Sequence, residues 1–323
     1  METRMLTFNW HEPYIAMLLK TGHTFDIARP DLGRNGGRHW DVRLRPLPAR
    51  ATMVDWPAAV QRMDEGAYSV ILCHNFADMA RVANSKTRKI LLFHNKLAAE
   101  LKSGADTVSR ADYLDKVAPL AQAADRLVFV SKSKMDDWGF GRGEVIGPGI
   151  NVLDFGPYIG DIKGVLRVAS YFKERGFMLG YETSQQAVEG FENLLLGFNP
   201  SIPGVAPAES YEKLLNYYSR YRVFLHTTCH PYEDGHNMAL LEAMAAGMPV
   251  VALKHPASII IHGHNGLVGE SVESLREHIA VLLGDETLAR TLGANARNSV
   301  AERFPIEKFT GAWNNVFTAA HET

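Results

Sequence analysis

Residues 217–251 read YYSRYRVFLHTTCHPYEDGHNMALLEAMAAGMPVV. The run 222–226 is short and apolar at its centre, which predicts a buried strand. Residues 238–246 are good helix formers without proline, and 249–253 return to a strand. Strand, turn, helix and strand make a βαβ unit, so the two strands are expected to lie parallel in a sheet covered on both faces. The turn Gly235-His236-Asn237 opens the helix. It presents free backbone N–H groups and the positive end of the helix dipole, which suit a phosphate. Asp234 before it and Glu242 on the helix are carboxylates that can accept hydrogen bonds from a ligand's hydroxyl groups. Taken alone, the same residues also describe a capped surface helix with Asp234 as its N-terminal carboxylate.

The same grammar runs through the rest of the chain. Residues 5–8, 68–73, 90–93 and 127–130 read as strands, with 13–21 and 76–84 as amphipathic stretches. After a break, 165–170, 193–198, 222–226 and 249–253 read as strands, and 210–219 and 238–246 as helices. This predicts an α/β protein of two doubly wound, Rossmann-like lobes. Glycine and proline cluster between 146 and 163, which places the boundary there. The expected domains are 1–155, 156–304 and a last helix, 305–323, with Pro305 at its first position. That helix is expected to cross back onto the first lobe.

In an open α/β sheet, ligands bind beyond the carboxyl ends of the strands. The run ending at Phe8 continues into Asn9, Trp10 and His11, that ending at Cys73 into His74 and Asn75, and that ending at Phe93 into His94 and Asn95. One histidine at such a place is more often a hydrogen-bonded surface residue than a catalyst. Three at equivalent places strengthen the case for a shared cleft.

Composition narrows the function classes. With 323 residues, 46% hydrophobic and 22% charged, the chain is an ordinary globular protein long enough for two domains. No apolar stretch reaches the roughly 18 residues needed to span a bilayer. Cys73 and Cys229 have no metal-type spacing, and the short apolar run near Met1 is no secretory segment, so the expected location is cytoplasmic. Residues 1–150 carry 21 Lys and Arg against 17 Asp and Glu, and the remainder 13 against 19. A mildly basic first half would suit an anionic acceptor or weak peripheral association with the inner face of a membrane; scattered solvated charge reads equally well. The basic residues between Arg29 and Arg50 are interleaved with acids, unlike a nucleic-acid surface.

With its LLEAMAAG-x-PVV continuation, and Asp234 and Glu242 eight residues apart, residues 217–251 resemble the donor segment of family-4 retaining glycosyltransferases of the GT-B fold. Residues 68–75 with 89–95 are similar to that family's two strands ending in histidine. Residues 123–139 (AADRLVFVSKSKMDDWG), 144–157 (EVIGPGINVLDFGP), 261–268 (IHGHNGLV) and 288–304 (LARTLGANARNSVAERF) follow the family's order to its end. There are three departures. Where the family carries an arginine and, five residues on, a lysine before glycine, this chain has Ser170 and Arg175 before Gly176, so the bidentate guanidinium is missing. The first acid is Asp234 rather than glutamate. The stretch 176–219 is short by roughly one strand-helix unit, which leaves the nucleotide base open.

The resemblance implies retaining transfer from a nucleoside diphosphate sugar to a saccharide or lipid-linked acceptor in cell-envelope synthesis. His94 is expected to act opposite the reacting sugar and Asp234 to hold that sugar. Ser170, Lys173, Arg175, Gly235, His236, Asn237 and Glu242 are expected around the donor, with lobe closure excluding water. His11 and His74 are the acceptor-side candidates, with loops such as 33–50. No D-x-D triplet occurs, so no metal is expected, and no cofactor beyond the nucleotide-sugar co-substrate. The alternative from another class is a silent GT-B-like protein that binds a ligand or partner, which the missing arginine and shortened second lobe would suit. An epimerase, which needs further acid–base groups, or a phosphorylase, which carries a lysine-bound cofactor in a much longer chain, fits less well. A nicotinamide enzyme fits less still, since residues 139–149 (GFGRGEVIGPG) lack G-x-G-x-x-G spacing and open no helix.

Overall fold

The structure, a computed structural model, describes residues 4–29, 39–104 and 108–319. Of the expected acceptor loop 33–50, residues 33–38 lie outside these. The described chain falls into two compact units, one of residues 1–149 with 306–323 and one of 150–305. The division comes six residues before the expected 155/156 boundary. The Ile150 amide donates to the carbonyl of Phe304, and Ile150 and Phe155 are buried in the second unit's core.

The first unit is built on seven parallel strands: β1 (Arg4–Phe8), β2 (Thr24–Ala28), β3 (Ala51–Val54), β4 (Val70–Cys73), β5 (Arg88–Phe93), β6 (Arg126–Phe129) and β7 (Glu144–Val145). Their order across the sheet is β3-β2-β1-β4-β5-β6-β7. Met5, Leu6, Ile71, Leu72, Leu91 and Leu92 are all buried, the continuous apolar pattern of strands covered on both faces. Phe93 stacks on Phe129 at 4.5 Å and meets Trp138 at 4.8 Å, closing one face.

Strands β2 and β3 carry only a weak strand signal in the sequence. In β2 the run is broken by Asp26, which is fully buried. The Arg62 guanidinium donates to Asp26 Oδ2 at 2.6 Å and the Tyr68 hydroxyl to the same oxygen at 2.8 Å. A charge met from both sides in this way can lie inside a strand. β3 is the edge strand, half-exposed over Ala51 to Met53, so its apolar signal is weak.

Helix Ile306–Ala319 packs within the first unit, as expected of a final helix that crosses back. Its buried stripe is Ile306, Phe309, Trp313, Val316 and Phe317. The Trp313 indole donates to the Tyr14 hydroxyl at 3.3 Å, and His23 Nε2 lies 3.1 Å from Asn314 Oδ1. The helix begins at Ile306, so Pro305 stands just before its first residue, where its lack of an N–H costs nothing.

The second unit carries five parallel strands: β8 (Ile162–Val168), β9 (Asn193–Leu196), β10 (Tyr221–His226), β11 (Val250–Leu253) and β12 (Leu267–Gly269). Their order is β12-β11-β10-β8-β9, a doubly wound sheet whose direction of winding reverses between β8 and β10. Helix Met238–Ala245 covers one face through Leu240, Leu241 and Met244, and helix Val272–Gly284 the other through Leu275, Ile279 and Leu282. Helix Glu286–Arg303 approaches Gly247 so closely that a Cβ on Gly293 would stand 2.0 Å from the Gly247 carbonyl oxygen. Within 176–219, the stretch read as shortened, the elements are helices Gly176–Leu179, Tyr181–Val188 and Tyr211–Arg220 and the strand β9.

Candidate active site

Each unit gathers polar side chains beyond the carboxyl ends of its strands, and the two sets are described in turn. In the first unit the winding reverses between β1 and β4, the place where an open sheet leaves a crevice. β1 runs into His11, the N-cap of helix Glu12–Leu18, whose carbonyl accepts from the amides of Tyr14 and Ile15. β4 runs into His74 and β5 into His94.

These three histidines form one cluster. The rings of His74 and His94 stack at 5.1 Å, with His74 Nδ1 2.9 Å from His94 Nε2, and the His11 ring lies 6.4 Å from that of His94. Tyr14 presents its edge to His94 at 4.9 Å. Behind them, Thr7 on β1 donates its hydroxyl to the Leu72 carbonyl at 3.1 Å, and its oxygen lies 2.8 Å from His74 Nε2. Burial, then the His11 charge, pushes His74 down to about 3. His94 is held well below the ordinary histidine value by burial, then by His74, His11 and Lys134. Both rings are therefore neutral at pH 7.

His74 is only 3% exposed, and both its ring nitrogens are engaged inside the unit. It was expected on the acceptor side; its position is that of a support for His94, which remains partly exposed. Asp78 accepts from the His74 amide and from Asn75 Nδ2, each at 3.0 Å, and so fixes the chain where it leaves β4. Burial pushes the Asp78 carboxyl up to about 7, against the pull of the His74 amide and Arg81.

In the second unit the corresponding edge holds Ser170 after β8, Thr227 and Thr228 after β10, and His255 after β11. The helix Met238–Ala245 opens here, with the Asn237 side chain accepting from the Leu240 amide at 3.0 Å. This leaves the amides of Met238 and Ala239 at the positive end of the dipole. Gly235 is a steric requirement. A Cβ there would come within 2.5 Å of the backbone of Ala257 and Ser258, so the turn into the helix lies against the loop after β11.

Asp234 and Glu242, 2% and 4% exposed, are both buried at this edge, and the Tyr218 hydroxyl donates to Glu242 Oε2 at 3.1 Å. Glu233, which the sequence reading left out, is buried beside them, its carboxylate accepting from the Asp234 amide at 2.9 Å. His226 and Thr228 were also missed as a site pair. The His226 Nε2 lies 2.9 Å from Thr228 Oγ1, and burial, then His236 and His255, push His226 down to about 3. The signal for all three was present in HTTCHPYED, a polar run at the end of an apolar strand. The His236 ring lies 5.5 Å from that of Phe304.

Of the residues expected to meet a diphosphate, Ser170 is committed locally, its oxygen accepting from the Phe198 amide at 3.1 Å. Lys173 is exposed and Arg175 half-exposed, at the start of helix Gly176–Leu179. Tyr171, directly after Ser170, has φ of 53°, the left-handed region that side chains rarely enter. Arg167 does not stand in for the missing guanidinium. It is buried on β8, donating to Ser184, Gln185 and Asn193, and burial lowers it to about 10. Among the described residues no group of three His, Cys, Asp or Glu could hold a metal ion, and no helix is long and apolar enough to cross a membrane.

Residues 182–285 match the family model described as "Glycosyl transferases group 1". The chain is similar to an exopolysaccharide phosphotransferase of Streptomyces coelicolor, 42% identical over 95 residues that cover 27% of this chain and 10% of that protein. It is also similar to the capsular polysaccharide biosynthesis glycosyltransferase CapM of Staphylococcus aureus. That match is 24% identical over 162 residues, 46% of this chain and 41% of CapM, so the chain spans less than half of either relative. Over 98% of its length it superposes on all of Anabaena HepE, solved in complex with UDP-glucose, with a TM-score of 0.71 at 13% identity. The superposition shows the GT-B fold, and the family match together with the likeness to CapM points to glycosyltransferases.

Proposed function

We propose that the protein is a glycosyltransferase that moves a sugar from a nucleoside diphosphate sugar to a saccharide or lipid-linked acceptor in cell-envelope polysaccharide or glycoconjugate synthesis. The observation that carries this reading is the edge of the second sheet. There, buried Asp234 precedes the opening of helix Met238–Ala245 and buried Glu242 lies on that helix, inside the segment matched by the group-1 family. Support for the donor class comes from HepE, solved with UDP-glucose, and for the acceptor class from the names of the polysaccharide-synthesis relatives.

In this reading the helix opening, Lys173 and Arg175 meet the diphosphate, Asp234 the sugar and Glu242 the ribose. The leaving nucleoside diphosphate gathers negative charge as its bond to the sugar breaks. Fixed amides and cations stabilise that charge most in the transition state. Transfer in this reading proceeds with retention, without a metal, in the cytoplasm at the inner face of the membrane, with His94 as the catalytic histidine of the first unit. A second reading, binding without turnover, has one observation in its favour: Ser170 offers no cation and is already bonded to Phe198.

The deciding experiment is a thermal-shift screen with UDP, GDP and ADP, with and without magnesium, followed by hydrolysis of the matching nucleotide-sugars. Stabilisation by one diphosphate without magnesium, lost in Glu242→Ala, together with slow release of that diphosphate from its sugar donor, is the expected result. Binding without release supports the silent reading. No shift with any diphosphate overturns the transferase reading and leaves the silent one, a protein that binds another ligand or a partner.

A further inference from the structure

The hydrogen bonds behind His94 have a direction, and it can be read from their fixed end. Thr7 Oγ1 has one proton and two contacts, the Leu72 carbonyl at 3.1 Å and His74 Nε2 at 2.8 Å. A carbonyl oxygen only accepts, so a proton given to Leu72 leaves the hydroxyl oxygen to accept from His74 Nε2–H. The reverse assignment, with Thr7 donating to His74, abandons the contact to Leu72 and makes one hydrogen bond fewer. His74 is neutral, so a proton on Nε2 leaves Nδ1 bare, and Nδ1 then accepts from His94 Nε2–H across 2.9 Å. His94, also neutral, has its single proton spoken for. Its Nδ1 makes no hydrogen bond among the described residues, on a ring that is partly exposed.

We infer that Thr7, acting through His74, fixes His94 in the Nε2–H tautomer, so that His94 meets its ligand with a bare Nδ1 that accepts a hydrogen bond from a hydroxyl group. Thr7 and His74 are thus positioning residues. The ligand chemistry follows from the lone pair. A bare imidazole nitrogen attracts the O–H of a polyol and repels a phosphate or carboxylate oxygen. His94 therefore recognises a sugar hydroxyl and not the diphosphate. This last step rests on the proposed sugar-transfer function; the tautomer itself does not.

The test is a two-bond 1H–15N spectrum of 15N-histidine-labelled protein at pH 7, with the His94 signals assigned by their loss in His94→Asn. In the native protein, Nδ1 of both His74 and His94 should give the bare-nitrogen resonance. Thr7→Val is nearly isosteric and removes the hydroxyl that anchors the chain. Its bare-nitrogen resonances should move to Nε2 in both rings, and Thr7→Ser should restore the native pattern. A native His94 protonated on Nδ1, or a Thr7→Val protein with unchanged tautomers, overturns the inference. Should Thr7→Val not fold, the native and Thr7→Ser spectra still decide the tautomer.

The second arm is hydrolysis of UDP-glucose, or of the donor matching the diphosphate that binds. Thr7→Val should lower kcat/KM about ten-fold, the worth of one hydrogen bond, without changing the Kd of the sugar-free diphosphate. A changed tautomer with unchanged kcat/KM upholds the relay and overturns the contact between His94 and a sugar hydroxyl.

Discussion

Glu242 is a carboxylate on the inner side of a helix, and the Tyr218 phenol helps to anchor it. Tyr218 is fully buried and donates to Glu242 Oε2 at 3.1 Å. Tyr218→Phe removes that bond without altering the packed volume, and should cost about 1 kcal/mol of stability. If Glu242 holds the donor's ribose, the same change should raise KM for the donor a few-fold and leave kcat nearly intact, since it loosens a binding group and not a reacting one. Asp234→Asn should behave differently. It keeps the shape of a side chain proposed to touch the sugar and removes its charge, so kcat should fall by about 100-fold, a loss near 2.7 kcal/mol in the transition state. Steady-state donor hydrolysis by the two variants separates these roles, and equal effects on KM from both would refute the assignment. At this scale the sequence shows only what is local. Asp234, Gly235, Asn237 and Glu242 are legible together because one βαβ stretch contains them. Thr7 is not, because it lies 67 residues from His74 and meets it only through the pairing of β1 with β4.

At the scale of elements, the helix Met238–Ala245 and the helix Ile306–Ala319 do different work. The first is short and holds its place by its cap and by the close fit of the turn before it. Asn237→Ala should lose about 1 kcal/mol as the Leu240 amide loses its acceptor. Gly235→Ala is worse, because the added methyl meets backbone at 2.5 Å, and backbone cannot turn aside as a side chain can. The expected result is a loss of 1–3 kcal/mol, about the usual cost of overpacking, together with loss of stabilisation by the nucleoside diphosphate. A Gly235→Ala protein that still responds fully to the diphosphate in thermal shift would show that the turn is not part of the site. The C-terminal helix is a packing element, and Trp313 is its largest fully buried side chain. Trp313→Ala should cost about 3–5 kcal/mol in the first unit, read by chemical denaturation. Both helices were legible from apolar spacing and from turn or proline signals at their starts. The strands that escaped notice, β2 and β3, lacked that signal for identifiable reasons. Asp26 interrupts one and is neutralised by residues 36 and 42 positions away, and the other is an exposed edge.

For the whole molecule the telling property is how many imidazoles it keeps neutral. His74 in the first unit and His226 in the second are buried and held near 3, and the half-buried His94 is also held well below the ordinary value. Unfolded, each takes up a proton as pH falls through about 6.5, whereas the folded chain does not until far lower. Their stabilising contribution is thus complete above that pH and is lost on acidification. Asp78 has the opposite sign. Its carboxyl is already protonated in the folded state below about 7, but only below its ordinary 3.8 when unfolded, so it favours folding as pH falls between these values. In the first unit two histidines against one aspartate leave a net uptake of one proton on unfolding, and in the second unit His226 leaves one as well. Near pH 5 each unit should therefore lose about 1.4 kcal/mol of stability per pH unit. Calorimetry from pH 7.5 to 5 should show melting temperatures falling steadily. His226→Gln should flatten the dependence of the second unit alone. Asp78→Asn should steepen that of the first, because it removes the one opposing group while keeping an oxygen for the His74 amide. Melting temperatures that stay level or rise over this range would mean that these rings are protonated in the folded protein, and the neutral pair on which the orientation of His94 depends would not exist.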